Sequence, residues 1–216
     1  MNRQEIKEEA KKRIAGNKWN ILWPALLFGF VVGLVESIFM PKINIDVNNI
    51  KNIKEIFDAV PTSYFIISIV TTLLTYVFTA GYVKYVLSFV RTGKFDTKTI
   101  LETIKKRWLQ ILVANIVGGL IIALASILFV IPGIIMSLAY AFMVYVVVDS
   151  DKSGIESLKA SRAMMKGYKS DYFVFVLSFI GWILLVPFTL GILLIWLVPY
   201  MMVAATIYYE KLKAKK

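Results

Sequence analysis

Six long apolar stretches alternate with polar ones along the chain, near residues 19–40, 63–89, 109–130, 134–148, 172–186 and 192–209. A bilayer hydrocarbon core of about 30 Å takes roughly 20 apolar residues per helical crossing. The pattern therefore predicts an all-α fold: a polytopic six-helix transmembrane bundle with amphipathic interfacial helices, in a single integral membrane domain over residues 1–216. The third and fourth stretches are one apolar run interrupted at Ile131, Pro132 and Gly133, and the fifth and sixth part across residues 187–191. Proline and glycine supply the stop and the positive φ of a tight reversal. Pro132, Gly133 and Gly191 are thus the expected turn residues, and Pro199 an expected kink in the sixth stretch. The short fourth stretch is either a crossing or a re-entrant hairpin.

The polar segments carry a helical period of their own. In residues 3–15, Ile6, Ala10 and Ile14 recur at i and i+4, Glu5, Glu8 and Glu9 precede Lys11, Lys12 and Arg13, and Gly16 follows. That order complements the helix dipole and ends the helix, and its apolar face is expected on the membrane surface. In residues 97–108, Asp96 caps a run of Ile100, Leu101, Ile104 and Trp108, with Lys105, Lys106 and Arg107 at the junction with the third stretch. In residues 154–166, Ser153 and Glu156 have capping-box spacing, Ile155, Leu158 and Met165 share a face, and Lys152, Lys159 and Lys166 form a stripe. A short surface helix is expected around residues 49–57. AGNK at 15–18 and KGYK at 166–169 hint at a repeat of basic helix plus hairpin.

Composition narrows the chemistry. The chain is 58% hydrophobic and 18% charged, with a mean hydropathy of +0.70, against roughly 45–50% apolar residues in a soluble domain. With no cysteine and no histidine, disulfides, thiolate nucleophiles, the usual zinc sites and imidazole acid–base catalysis all fall away. The first 18 residues mix charge signs and show no small-residue cleavage site, which predicts a retained segment. Lysine and arginine number six in residues 1–18, three in 41–60, six in 90–107, five in 149–171 and four after Tyr209. By the positive-inside rule, both termini and the two long basic loops face the cytoplasm and residues 41–60 face out.

Few residues inside the apolar stretches can carry chemistry. Glu36 and Lys84 lie near helix ends from which they can snorkel, and Asp171 sits at a boundary. Ser68, Thr71, Thr72, Thr75 and Thr79 share a helix face that suits interhelical hydrogen bonds better than a pore. Small residues at four-residue spacing, Gly29 with Gly33, Ala114 with Gly118 and Gly119 with Ala123, are candidate helix-packing positions. Asp149 and Asp151 lack the further ligands of a metal site and read as a helix-end turn. Arg162 stands among apolar neighbours beside Lys159 and Lys166, and its planar guanidinium fits a lipid phosphate, or Asp149 or Asp151, in a two-pronged way.

The segments GYVKYVLSFVRTGK at 81–94, IPGII at 131–135, SRAMMKGYKSDYFVFVLSFIGW at 161–182 and TLGILLIWLVPYMMVAATIYYE at 189–210 together resemble a family of uncharacterised bacterial integral membrane proteins. That family is similar to the membrane region of some glycerophosphodiester phosphodiesterases. Ser161, Arg162, Met165, Gly167, Ser178, Trp182, Gly191, Pro199, Tyr200 and Tyr209 carry the resemblance. It implies a bacterial cytoplasmic membrane protein with no catalytic domain. The expectation is a non-enzymatic protein without cofactor, metal or nucleic acid, whose basic cytoplasmic face meets anionic membrane lipids, a membrane-protein partner or a second copy. The alternative is a small-solute transporter.

Overall fold

A computed structural model describes residues 1–39 and 60–215 of the chain. The expected surface helix at 49–57 and most of the segment 41–60 lie outside the described residues. Those residues form ten α-helices: α1 Arg3–Ile14, α2 Lys18–Phe39, α3 Thr62–Thr92, α4 Lys98–Leu128, α5 Val130–Ala139, α6 Met143–Asp149, α7 Gly154–Met164, α8 Lys169–Leu177, α9 Ile180–Leu184 and α10 Leu194–Lys213. A 3-10 turn covers Pro187–Thr189, and no strand occurs among the described residues.

Among the described residues five helical stretches, not six, are long and apolar enough to cross a membrane: Lys18–Phe39, Thr62–Thr92, Lys98–Leu128, Val130–Asp149 and Lys169–Thr189. The expected sixth is α10. Its apolar run is diluted by Pro199, Tyr200, Thr206, Tyr208 and Tyr209 and closes on Glu210, Lys211 and Lys213, and these polar positions face the protein core or the ion pairs described below.

Three further expectations change. The reversal between the third and fourth stretches falls at Phe129, whose extended backbone (φ −160°, ψ 150°) separates α4 from α5. Pro132 and Gly133 lie inside α5. A proline in a first helical turn forfeits no intrahelical bond, and Gly133 lets α5 close directly onto Ser126 of α4. The basic segment 97–108 is the first third of the 31-residue α4, because good helix formers at Lys105, Lys106, Arg107 and Leu109 leave nothing to stop it. In α1, Ile6, Ala10 and Ile14 are buried against protein, chiefly α10, and not spread on a membrane surface.

The core is concentrated at one end of the molecule. It takes the first turns of α2 at Ile21, Leu22 and Pro24, mainly the last third of α3, and α10 from Leu197 onward. The opposite ends are uncovered, with Ile127 81% and Leu190 91% exposed. Two tyrosines hold α2 in this core. Pro24 has no N–H to give Asn20, and the Tyr85 hydroxyl donates to that carbonyl at 2.6 Å. Tyr82 donates to the next one, on Ile21, at 2.7 Å.

A second repair lies between α5 and α6, where the helix breaks over residues 140–142. The Ser161 hydroxyl, fully buried, donates to the Ala139 carbonyl at 3.0 Å and accepts from the Phe142 N–H at 3.3 Å. A side chain of α7 thus satisfies backbone groups that the break would orphan.

Candidate functional site

Two clusters of polar side chains occupy the end of the molecule that holds the core. The first is centred on Asp149, at the end of α6, whose side chain is only 3% exposed. Arg91 reaches it from α3 with both guanidinium arms, at 2.5 and 2.7 Å. From α10, Lys213 donates at 2.7 Å and the Tyr209 hydroxyl at 3.1 Å. Lys84 stands 3.7 Å away, so it is directed at this carboxylate and does not simply snorkel outward. Arg91 also binds Glu210 at 2.7 Å. The neighbouring Tyr208 donates to Asp171, which begins α8, at 2.8 Å. Consecutive tyrosines of α10 therefore grip the ends of two other helices.

Sequence reasoning missed Arg91, Tyr209, Glu210 and Lys213 as members of this cluster. A signal was present: Lys84 and Arg91, seven residues or about two turns apart, fall on one face of a helix. Asp149 is a structural hub here, and Asp151 is exposed beside it; both, with Lys84, line a cavity of about 300 Å³. Neither aspartate is brought to Arg162. The expected pairing fails because Asp149 is already saturated by Arg91, Lys213 and Tyr209.

The second cluster is basic. Lys159, Arg162, Lys166 and Lys169 line an open cleft of about 660 Å³ together with Ala163, Gly167 and Ser170. Local sequence builds its wall. Ser153 starts α7 with a capping box, its hydroxyl accepting from the Glu156 N–H while the Glu156 carboxylate accepts from the Ser153 N–H. These bonds hold the Glu156 carboxyl below the usual glutamate range. Gly154 lets α7 lie against the α4 backbone at Gln110 and Ala114. Leu158, Ser161 and Met165 are buried on the inner side, whereas Ile155, expected among them, is 51% exposed. Spacing of i, i+3 and i+7 then puts Lys159, Arg162 and Lys166 together on the outer side. Gly167, at φ +85°, makes the turn into α8 that brings Lys169 and Ser170 across from them. Among the described residues, no ion pair or hydrogen bond engages any of the four basic side chains.

The remaining expected positions fall as follows. A side chain at Gly118 would meet the Met143 sulfur at 2.7 Å and Leu158 Cδ2 at 2.9 Å, and Ala114 is buried nearby. Gly29, Gly33 and Gly119 have nothing within 4 Å. Gly191 has φ +82° in the turn before α10, and Pro199 is buried inside α10. Thr71 and Thr75 turn their hydroxyls back onto their own helix, at 3.0 Å to Ile67 and 2.8 Å to Thr71. A third set of ion pairs closes α1 on α10, with Lys211 at 2.5 Å from Glu5 and 3.4 Å from Glu9. The pairing lowers the Glu5 carboxyl and raises the Lys211 ammonium.

Among the described residues no group of carboxylates could hold a metal ion. What remains is an all-α chain of membrane-length apolar helices, tied together at one end by ion pairs and bearing an unpaired basic cleft there. It belongs to the family described as "Protein of unknown function (DUF975)", whose model matches residues 1–139 and 115–216. No curated protein and no solved structure matches the chain.

Proposed function

We propose that this is a non-enzymatic multi-pass protein of a bacterial cytoplasmic membrane that engages anionic lipid through its basic end. The observation that carries the reading is the cleft of Lys159, Arg162, Lys166 and Lys169, which faces outward without a counter-ion. Elsewhere at this end Arg13, Arg91, Lys211 and Lys213 are all paired with carboxylates. The orientation follows from the positive-inside rule. The Lys211–Glu5 and Lys211–Glu9 pairs support placing the N-terminal and C-terminal segments on one side. Anionic lipid in that leaflet contributes about 1 kcal/mol per basic residue near the surface. Thr71 and Thr75, expected to bond between helices, give their hydroxyls to carbonyls of their own helix, which supplies no free row of donors for a solute path.

The test is lipid retention by the purified full chain. Anionic lipid should co-purify in preference to zwitterionic lipid, and a combined Lys159→Ala, Arg162→Ala and Lys166→Ala variant should lose most of that preference. Proteoliposomes should show no solute flux above empty vesicles. Retention that ignores lipid charge, or flux that matches a carrier, would overturn the reading.

A further inference from the structure

The cleft holds more positive charge than an ordinary phospholipid headgroup can match. A phosphodiester carries one negative charge and two free oxygens. A single arginine fork already occupies both oxygens. That would leave Lys159, Lys166 and Lys169 facing one another across the same space. The nearest carboxylates do not relieve them. Glu156, one turn before Lys159, turns back to cap Ser153 and forms no salt bridge with the lysine, and Asp171, two residues after Lys169, is taken by Tyr208, the Met1 amino group and Arg3. On the far wall α8 begins without a side-chain cap at Tyr168, and Ser170 in its first turn lines the cleft. The start of a helix adds N–H donors and a partial positive charge.

A phosphomonoester fits this set. It carries close to two negative charges at neutral pH and three free oxygens. Two oxygens meet the Arg162 fork, and the third is left for the lysines and the start of α8. Resting on the lipid reading above, we infer that the cleft binds a phosphomonoester group, presented by a membrane lipid whose headgroup ends in phosphate. The position suits that source, because the apolar run of the fifth stretch begins at Tyr172, two residues beyond Ser170.

The inference has a pH signature that belongs to the ligand. The groups facing the cleft are Lys159 and Arg162 from α7, Lys166 from the turn that follows it, and Lys169 and Ser170 from α8, and the chain contains no histidine. None of these side-chain types ordinarily titrates near pH 6, whereas the second ionisation of a phosphomonoester lies at about 6.

The experiment uses the full chain in zwitterionic bilayers doped with phosphatidic acid, a phosphomonoester, or with phosphatidylglycerol, a diester, at equal mole fraction. A third arm adds soluble glycerol phosphate to undoped bilayers. Retained lipid and thermal midpoint are read, each variant against its own undoped control. Phosphatidic acid should be held about tenfold more strongly than phosphatidylglycerol, the equivalent of one further charge-assisted hydrogen bond. Below about pH 6 that preference should fade. Arg162→Lys, which keeps the charge but not the fork, should lose most of it, while Lys94→Ala, which removes a positive charge outside the cleft, should keep it. Equal binding of the two lipids, with both lost in Arg162→Ala, overturns the phosphomonoester assignment and leaves the anionic-lipid function standing. Binding of neither lipid overturns both. If soluble glycerol phosphate binds as tightly as phosphatidic acid, the phosphomonoester assignment holds and the membrane source is overturned.

Discussion

Ser161 and Ser157 are one turn apart on the same buried side of α7, yet their hydroxyls have opposite standing. Ser161 serves two backbone groups in the break between α5 and α6, while Ser157 Oγ is buried with no partner. Removing a hydroxyl that satisfies buried groups exposes their desolvation cost, whereas removing an unsatisfied one relieves it. Ser161→Ala should therefore lose about 1–3 kcal/mol of stability, and Ser157→Ala should be neutral or slightly more stable. Denaturant titration in detergent decides this, and equal losses would show that the Ser161 bonds contribute nothing special. At this scale the sequence was legible for caps and turns. Ser153 with Glu156 and the glycine stops at 16 and 191 follow from local chemistry. Ser161 was not legible in this way, because its partners lie 19 and 22 residues back, in a helix break that propensity does not reveal.

Helix α4 illustrates what periodicity settles and what it omits. The small residues at 114, 118 and 119 suggested a close approach, but not which of two adjacent glycines makes it. Gly118 faces Met143 and Leu158, whereas Gly119 faces open space within the chain. Gly118→Leu should cost about 1–3 kcal/mol by overpacking, and it should also loosen the α7 wall that carries Arg162. Gly119→Leu should leave stability unchanged or raise it by up to ~1 kcal/mol through helix propensity. Thermal midpoints of the two variants, with lipid retention beside them, distinguish these outcomes, and matched midpoints would refute the assigned contact. Element boundaries were legible at Gly16 and Gly191, but Pro132 and Gly133, expected at a turn, lie inside α5. The boundary also failed at residues 97–108, an expected interfacial helix that nothing separates from the rest of α4. Apolar content also overstated α10, whose hydrophobic face turns inward.

For the molecule as a whole, Arg91 bears most on the assembly, since its two arms join the end of α3 to α6 and to α10. Arg91→Ala leaves Asp149 with Lys213 and Lys84, so the carboxylate is weakened but not orphaned, and the expected loss is about 1.5–3 kcal/mol. Arg91→Lys should recover only part of it, because an ammonium cannot span both carboxylate oxygens. Full recovery by lysine in thermal unfolding would show that charge alone suffices. The sequence could place Lys84 and Arg91 on one helix face but could not name their carboxylate, 58 residues from Arg91. The closing pairs are more distant still, and their separation imposes an order during synthesis. Asp149 emerges with Arg91 already made, but waits 64 residues for Lys213, and Glu5 waits 206 residues for Lys211. Until α10 leaves the ribosome, α1 has no helix to close upon, and the apolar edge of Ile6, Ala10 and Ile14 is free to rest on the bilayer.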